Sequence, residues 1–189
     1  KPESGTTGNK VRLCIVNTMY VKDLQNVAGV IFDEAIKLSK DLEEVHVILF
    51  HESTKSLRLT RNVFVHTISA RSGSGLASLG FSTLLGYLLL IPLIIRIISS
   101  HRINLVRADD VLRTGVPAAI ACKLMRTPLV TFVAGSGEDI LRIKTHANAS
   151  ILKIARLLER MVMLFSDHVF AVTTPLINRC RAYGARGVT

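Results

Sequence analysis

The sequence contains no tryptophan, and aromatic residues make up only 5% of its 189 residues. Binding modules that stack nucleic-acid bases on exposed rings are therefore not expected, and no RNA-stacking or recognition-helix motif is present. Acidic residues are also few, 14 against 24 lysines and arginines, which leaves a formal charge of +10. This excess should attract phosphates, anionic lipids or nucleic acid, and charge alone does not choose among them. The shortage of aromatic residues makes nucleic acid the least favoured of the three.

Motifs of several enzyme classes are absent. No Gly-x-Gly-x-x-Gly follows a strand, which argues against a dinucleotide dehydrogenase, and there is no Gly-x-Ser-x-Gly nucleophile elbow. The six histidines include no pair spaced for a metal site on one helix, so no metal is predicted. Three widely separated cysteines, at 14, 122 and 180, cannot all pair and indicate a reducing, cytoplasmic compartment.

Hydrophobic residues make up 49% of the chain, which suits the core of one large α/β domain. Short apolar runs rich in β-branched residues alternate with segments of helical periodicity. Because these runs are continuous, they predict parallel strands that helices cover on both faces. The expected fold is a Rossmann-like parallel sheet flanked by helices, spanning 11–189, with strands at 11–16, 45–50, 63–68, 103–106, 129–133 and 169–172.

The two ends of the chain carry separate predictions. Residues 1–10 are polar and aperiodic, and they are interpreted as a disordered leader or an expression remnant. Val188 and Thr189 stand at the start of a further strand. We therefore expect the chain to be one domain of a longer protein, or one half of a split pair.

The order of several short motifs is characteristic. A Gly-x-x-Ala-Ala helix begins at Gly115, and a strand led by Pro128 ends in a glycine turn. Glu159 is then followed, after seven residues, by Asp167, which opens an Asp-x-Val-x-Ala-Val-Thr strand. Over the chain from about residue 11 to 189, this order resembles the amino-terminal domain of GT-B retaining glycosyltransferases of the group 1, or family 4, type.

The resemblance implies a division of labour between two domains. In that family this domain mostly binds the acceptor, and a carboxyl-terminal domain, absent here, holds most of the nucleotide-sugar donor. The chain is then expected to be the acceptor-binding half of a hexosyltransferase that acts on a glycan or lipid, and to be inactive without its donor domain. Two alternatives remain: a noncatalytic membrane-associated subunit that recruits a catalytic chain, and half of a GT-B epimerase.

Candidate substrate-binding residues follow from the resemblance and from local chemistry. Ala28 and Gly29 stand where the family has a Gly-Gly loop, and the glycine lets a donor phosphate approach the backbone. Arg107, at a strand tip, can bind a phosphate on donor or acceptor through two hydrogen bonds. An ion pair of Arg107 with Asp109 or Asp110, which would shape the turn, is an equal alternative.

The glycine turn after the fifth strand offers a second group of candidates. Gly135 and Ser136 can present backbone N–H groups to an anion, although a plain helix capped by Ser136 explains the same residues. Glu138 and Asp139 are candidates for orienting an acceptor hydroxyl, and Arg142 is a further substrate-binding candidate. The histidine that the family often carries at this turn is missing, so no catalytic residue is assigned.

Residues 84–98 form the most hydrophobic stretch of the chain, and with residues 76–83 the segment approaches the roughly 20 residues needed to cross a bilayer. A membrane crossing is disfavoured by Pro92 and Arg96 within the segment. It is also disfavoured because the segment lies between two predicted strands of one sheet, which a crossing would place on opposite sides of the membrane. A helix packed on the sheet is the first interpretation. Because its second face is also apolar, shallow insertion into an anionic leaflet is the second, which would place the protein on the cytoplasmic face of a membrane.

Overall fold

The structure, a computed structural model, describes residues 10–21, 30–69, 81–136, 139 and 149–189, with only the backbone at 18 and at 81–88. Most of the leader predicted at 1–10 therefore lies outside the described residues. Seven strands form one sheet: β1 (Arg12–Tyr20), β2 (Glu44–His51), β3 (Ser56–Arg58), β4 (Val63–Ser69), β5 (Leu105–Ala108), β6 (Leu129–Val133) and β7 (His168–Ala171).

The sheet has the order β3-β4-β2-β1-β5-β6-β7, and every neighbouring pair is parallel except β3 with β4. This arrangement confirms the predicted Rossmann-like parallel sheet. The antiparallel edge strand β3 was not predicted, because its three residues are too few and too polar for a hydrophobic pattern. Strand β1 continues to Tyr20, beyond the predicted end, and β5 begins two residues later than predicted.

Five helices and one π-helical turn are described. They are α1 (Val30–Leu38), α2 (Phe81–His101), the π-helical turn (Val111–Gly115), α3 (Val116–Met125), α4 (Ala149–Phe165) and α5 (Thr174–Ala182). Helices α2 to α5 contribute to the larger core on one face of the sheet, and α1 packs on the other face. The sheet is therefore buried from both sides in its central strands.

Alternation along β1 shows why the apolar runs are continuous. Leu13 and Ile15 face the core beneath α1, whereas Cys14 and Val16 face the core beneath α2 and α3. Because neither face meets solvent, both sets of positions are apolar. Cys14 is completely buried, and burial raises the pKa of its thiol, as suits a small core residue in an apolar strand.

The buried face of α4 agrees only in part with the predicted one. Periodicity predicts an apolar stripe of Ile151, Ile154, Ala155, Leu158, Met161, Val162 and Phe165. Ala155 and Val162 are buried and Leu158 and Met161 half-buried, but Ile151, Ile154 and Phe165 are exposed. The buried side chains of the helix are Ala155, Glu159, Val162 and Met163. The carboxylate of Glu159 lies 3.3 Å from a guanidinium nitrogen of Arg179 on α5, a contact that apolar periodicity cannot reveal.

The apolar segment predicted at 76–98 corresponds in part to α2. Among its described side chains, Leu90, Ile94, Ile97 and Ile98 are buried in the larger core, which confirms the packing interpretation for this part. Residues 76–80 lie outside the described residues. No helix in the described part of the chain is long and apolar enough to cross a membrane.

The last residues pair with the sheet as predicted. Val188 forms a parallel bridge with Val169 of β7, and the backbone N–H of Ala171 donates to the carbonyl of Thr189 at 2.8 Å. Strand pairing therefore continues beyond β7 on its outer edge.

Candidate functional site

A cleft of about 980 Å³ opens at the carboxyl edge of the sheet, between α1 and the ends of β1, β5, β6 and β7. The strand order places β2 on one side of β1 and β5 on the other, so the order in which strands are added to the sheet reverses at β1. Such a reversal leaves a crevice outside the strand ends, which is where open α/β sheets bind ligands. The topology therefore identifies this cleft as the candidate functional site.

Arg107, on β5, is the centre of a charged network in the cleft. Its Nε donates to Oδ1 of Asp109 at 2.6 Å, and both terminal nitrogens contact the carboxylate of Glu34, one of them at 3.1 Å. Nδ2 of Asn17 donates to the other carboxylate oxygen of Asp109 at 2.8 Å. The network thus joins α1, β1 and the end of β5.

Burial and charge act in opposite directions on the two central groups. Burial lowers the pKa of Arg107, but hydrogen bonds with Glu34 and the charge of Asp109 outweigh it and raise the pKa. Burial raises the pKa of Asp109 above its usual value, although the charge of Arg107 and the hydrogen bond from Asn17 oppose this. The side chain of Asp109 is only 8% exposed, so its ionised form depends on these two partners.

The walls of the cleft combine apolar rings with an excess of carboxylates. The guanidinium of Arg107 lies 5.7 Å from the ring centroid of Phe132, and Phe170 is 46% exposed. The charged residues described in the lining are two cations against three carboxylates: Lys37 and Arg107, then Asp33, Glu34 and Asp109. The described lining is therefore slightly negative, despite the basic character of the whole chain.

Two predicted site residues, Arg107 and Asp109, lie together in this cleft. The ion pair with Asp109, one of the two alternatives for Arg107, is present. Asp110 has a different role, because its carboxylate accepts from the backbone N–H of Arg113 at 2.7 Å and caps the π-helical turn. A phosphate-binding role for Arg107 stays a prediction.

Other candidates belong to a second cluster outside the cleft. Oγ of Ser136 accepts from the backbone N–H of Asp139 at 3.2 Å, the contact expected of a helix cap. Arg179 of α5 lies 3.1 Å from a carboxylate oxygen of Asp139 and 3.3 Å from one of Glu159. Gly135 adjoins this cluster. Glu159, singled out by the family resemblance, is thus a buried ion-pair partner here.

The remaining candidates Ala28, Gly29, Glu138 and Arg142 lie outside the described residues, and their roles stay predictions. Conversely, sequence reasoning missed Asn17 and Glu34. Asn17 is the first polar residue after the predicted strand at 11–16, a position that signals the ligand edge of a parallel sheet. Glu34 had no comparable signal, since its partner Arg107 is 73 positions away.

No family model and no curated protein matches the sequence. Solved structures do match. A putative UDP-N-acetylglucosamine 2-epimerase from Listeria monocytogenes shares 12% identity at a TM-score of 0.55, over 92% of this chain and 43% of that one. Trehalose 6-phosphate synthase from Burkholderia multivorans shares 17% identity at a TM-score of 0.56, over 92% of this chain and 42% of that one. A sucrose-phosphate synthase chain from Thermosynechococcus elongatus shares 10% identity at a TM-score of 0.55, over 94% of this chain and 86% of that one.

These similarities define the fold. The chain has the Rossmann-like α/β architecture of GT-B enzymes, a group that includes both sugar transferases and epimerases. It spans less than half the length of the epimerase and of the trehalose 6-phosphate synthase that it matches. Membership of family 4 and correspondence to the amino-terminal half stay predictions.

Proposed function

We propose that this chain is the acceptor-binding half of a GT-B glycosyltransferase, which transfers a sugar from a nucleotide-sugar donor to a glycan or lipid hydroxyl. The observation that carries the proposal is the chemistry of the cleft at the carboxyl edge of the sheet. Carboxylates and an amide line it beside the rings of Phe132 and Phe170, and its described charges favour an uncharged ligand over a diphosphate.

Sugar hydroxyls suit this lining. The carboxylates of Asp33 and Glu34 accept hydrogen bonds from hydroxyl groups, and Phe132 and Phe170 offer apolar surface to the C–H faces of a ring. A donor diphosphate, in contrast, would reach the guanidinium of Arg107 only by displacing Glu34. We therefore assign Arg107 a positioning role, in which it fixes the two carboxylates beside it.

Transfer also requires stabilisation of the leaving diphosphate, for which the described lining offers only Lys37 and the paired Arg107 against three carboxylates. In the proposal this task belongs mainly to a second, donor-binding domain, together with backbone N–H groups near Gly29 and Gly135. No metal or other cofactor is obligatory for it. Support comes from the fact that the chain corresponds to 42–45% of three larger matching chains, which leaves room in them for a partner domain.

Ligand titrations followed by NMR test acceptor binding directly. Neutral mono- and disaccharides should shift resonances of Asn17, Glu34 and Phe170, whereas UDP should shift them less. Arg107→Met should weaken sugar binding. Arg12→Met is the matched control, since Arg12 also pairs with a glutamate, at 2.6 Å, but at the amino end of β1. Sugar-induced shifts confined to other regions, or a response to UDP alone, would contradict the proposal.

Half of a GT-B epimerase is the second candidate, because two of the matching structures are UDP-N-acetylglucosamine 2-epimerases, at TM-scores of 0.55 and 0.52. The two functions differ in products. The full-length protein, incubated with UDP-N-acetylglucosamine and no acceptor, should invert C2 if it is an epimerase. A transferase should instead release nucleotide and glycosylate an added acceptor, and NMR of the products distinguishes these results.

A lipid acceptor, or a noncatalytic role in recruiting an enzyme to a membrane, would require a membrane-facing surface. The exposed apolar side chains of α4 support this hypothesis: Ile154 is 59% and Leu157 68% exposed, and Lys153 and Arg156 lie beside them on the helix. Flotation with anionic vesicles should show binding that salt weakens and that Leu157→Glu reduces. Equal flotation of wild type and variant would argue against this surface.

A further inference from the structure

Three histidines from distant parts of the sequence meet on the face of the sheet that α2 covers. His46 lies on β2, His66 lies on β4, and His101 is the last residue of α2. One ring nitrogen of each lies within 4.8 Å of the others. The cluster is separate from the cleft, because the cleft is formed by α1 and the carboxyl ends of β1 and β5 to β7.

The two buried rings face each other along their edges. Nδ1 of His46 lies 2.9 Å from Nε2 of His66, and the ring planes differ by only 7°. Two nitrogen ligands of one tetrahedral zinc ion, each about 2.0–2.1 Å from it, are roughly 3.3 Å apart. A small separation of the rings, together with a tilt that turns both lone pairs toward a common point, would therefore let both nitrogens bind one ion. The ring of His101 is the third neighbour, with its centroid 4.3 Å from that of His46.

The outer nitrogens of the same rings already have the partners that metal-binding histidines use. Nε2 of His46 lies 3.3 Å from a carboxylate oxygen of Glu44, and Nδ1 of His66 lies 2.9 Å from Oγ of Ser56. Such outer hydrogen bonds fix the tautomer and orientation of ligand histidines. The hydroxyl of Ser56 can donate or accept, so it can adapt to either tautomer of His66.

That adaptability makes metal binding possible without a loss of hydrogen bonds. When the two rings bond to each other, His66 can donate from Nε2 while Ser56 donates to its Nδ1. When an ion binds, the proton of His66 moves to Nδ1 and is donated to Ser56, which frees Nε2. Both inner nitrogens then carry lone pairs for the ion, and no net proton is released.

We propose that His46, His66 and His101 form a binding site for a divalent transition-metal ion, with Zn²⁺ as the first candidate. Imidazole ligands suit zinc, copper and nickel, whereas Mg²⁺ and Ca²⁺ prefer oxygen ligands. Burial, with smaller effects from neighbouring positive groups, lowers the pKa of His46 and of His66 to about 4. Both rings are thus neutral near pH 7, the form that binds a metal.

The site has a route to solvent. His66 and His101 line a pocket of about 430 Å³, together with Arg58 and Arg96. A fourth ligand from this pocket would be water or a small anion, because the flanking side chains are cationic. The same cations oppose a dication, so we expect micromolar affinity rather than the tighter binding of closed structural zinc sites.

Calorimetric titration of the chelator-treated protein with ZnCl₂ tests the proposal. Wild type should bind one ion per chain, and bound Co²⁺ should give the visible absorption bands of a nitrogen-coordinated site. His101→Ala should weaken binding at least tenfold, since this ring lies at a helix end and its removal spares the buried pair. Glu44→Gln should weaken binding by about tenfold, as expected for a lost outer partner.

His168→Gln is the matched control, because His168 lies on β7 and its Nε2 contacts Thr189 instead, at 3.0 Å. It should bind Zn²⁺ as wild type does. The proposal is overturned if wild type binds no stoichiometric ion, or if His101→Ala binds as tightly as wild type. It is also overturned if His168→Gln loses as much affinity as His101→Ala. Circular dichroism confirms that each variant is folded.

Discussion

The Arg107 network makes an asymmetric prediction about stability. Asp109 is 8% exposed on its side chain, whereas Glu34 is 36% exposed. Removing Arg107 therefore leaves the nearly buried carboxylate of Asp109 without its cationic partner. Removing the charge of Glu34 leaves Arg107 still paired with Asp109. The two substitutions should have very different costs, although each breaks the same ion pair.

The expected sizes follow from burial. Arg107→Met should lower the unfolding free energy by about 3 kcal/mol. This is the lower end of the range for a buried charge that loses its partner, and it applies because the side chain of Arg107 is itself 20% exposed. Glu34→Gln should cost less than about 1 kcal/mol, as for a surface pair. In a chain of this length these values correspond to losses in Tm of roughly 6–12 °C and below roughly 4 °C.

Urea unfolding at several pH values measures both the cost and its cause. In Arg107→Met the pKa of Asp109 should rise further above its usual value, so protonation neutralises the stranded charge as the pH falls. The deficit relative to wild type should therefore shrink between pH 8 and pH 5. Equal destabilisation by Glu34→Gln and Arg107→Met, or a deficit independent of pH, would refute the reasoning.

Three further predictions concern the core. With chelator present, stability should fall as the pH drops from 6.5 to about 4, because the unfolded chain then takes up protons that His46 and His66 resist. The loss of unfolding free energy should approach about 3 kcal/mol for one of these two histidines. An unfolding free energy, measured with urea, that does not change over this pH range would contradict the prediction. Gly115→Ala should lower Tm, since its Cβ would lie 2.8 Å from the carbonyl oxygen of Asp110; an unchanged Tm would contradict this. The three buried cysteines should react with a thiol reagent only after unfolding, and rapid labelling of the native protein would disprove their burial.

Local hydrophobic pattern was sufficient to predict most of the architecture. Continuous β-branched runs at 11–16 and 45–50 predicted parallel strands, and β1 and β2 are parallel neighbours in the sheet. Pattern failed where a charge was buried: α4 presents Glu159 to the core, and the apolar Ile154 is exposed instead. Periodicity reports average polarity, and it cannot weigh an ion pair with a helix that follows later in the chain.

The candidate sites depended more strongly on tertiary structure. The sequence placed Arg107 at a strand tip, where a ligand edge was expected, because parallel strands expose their carboxyl ends along one side. It could not pair Arg107 with Glu34, nor bring His46, His66 and His101 together. Those contacts follow from strand order, from the register of β2 with β4 and from the end of α2. The sequence alone determined most of the buried segments, because burial follows from the polarity of neighbouring residues. Contacts between distant side chains were decided only by the tertiary structure, because they depend on the relative positions of the strands.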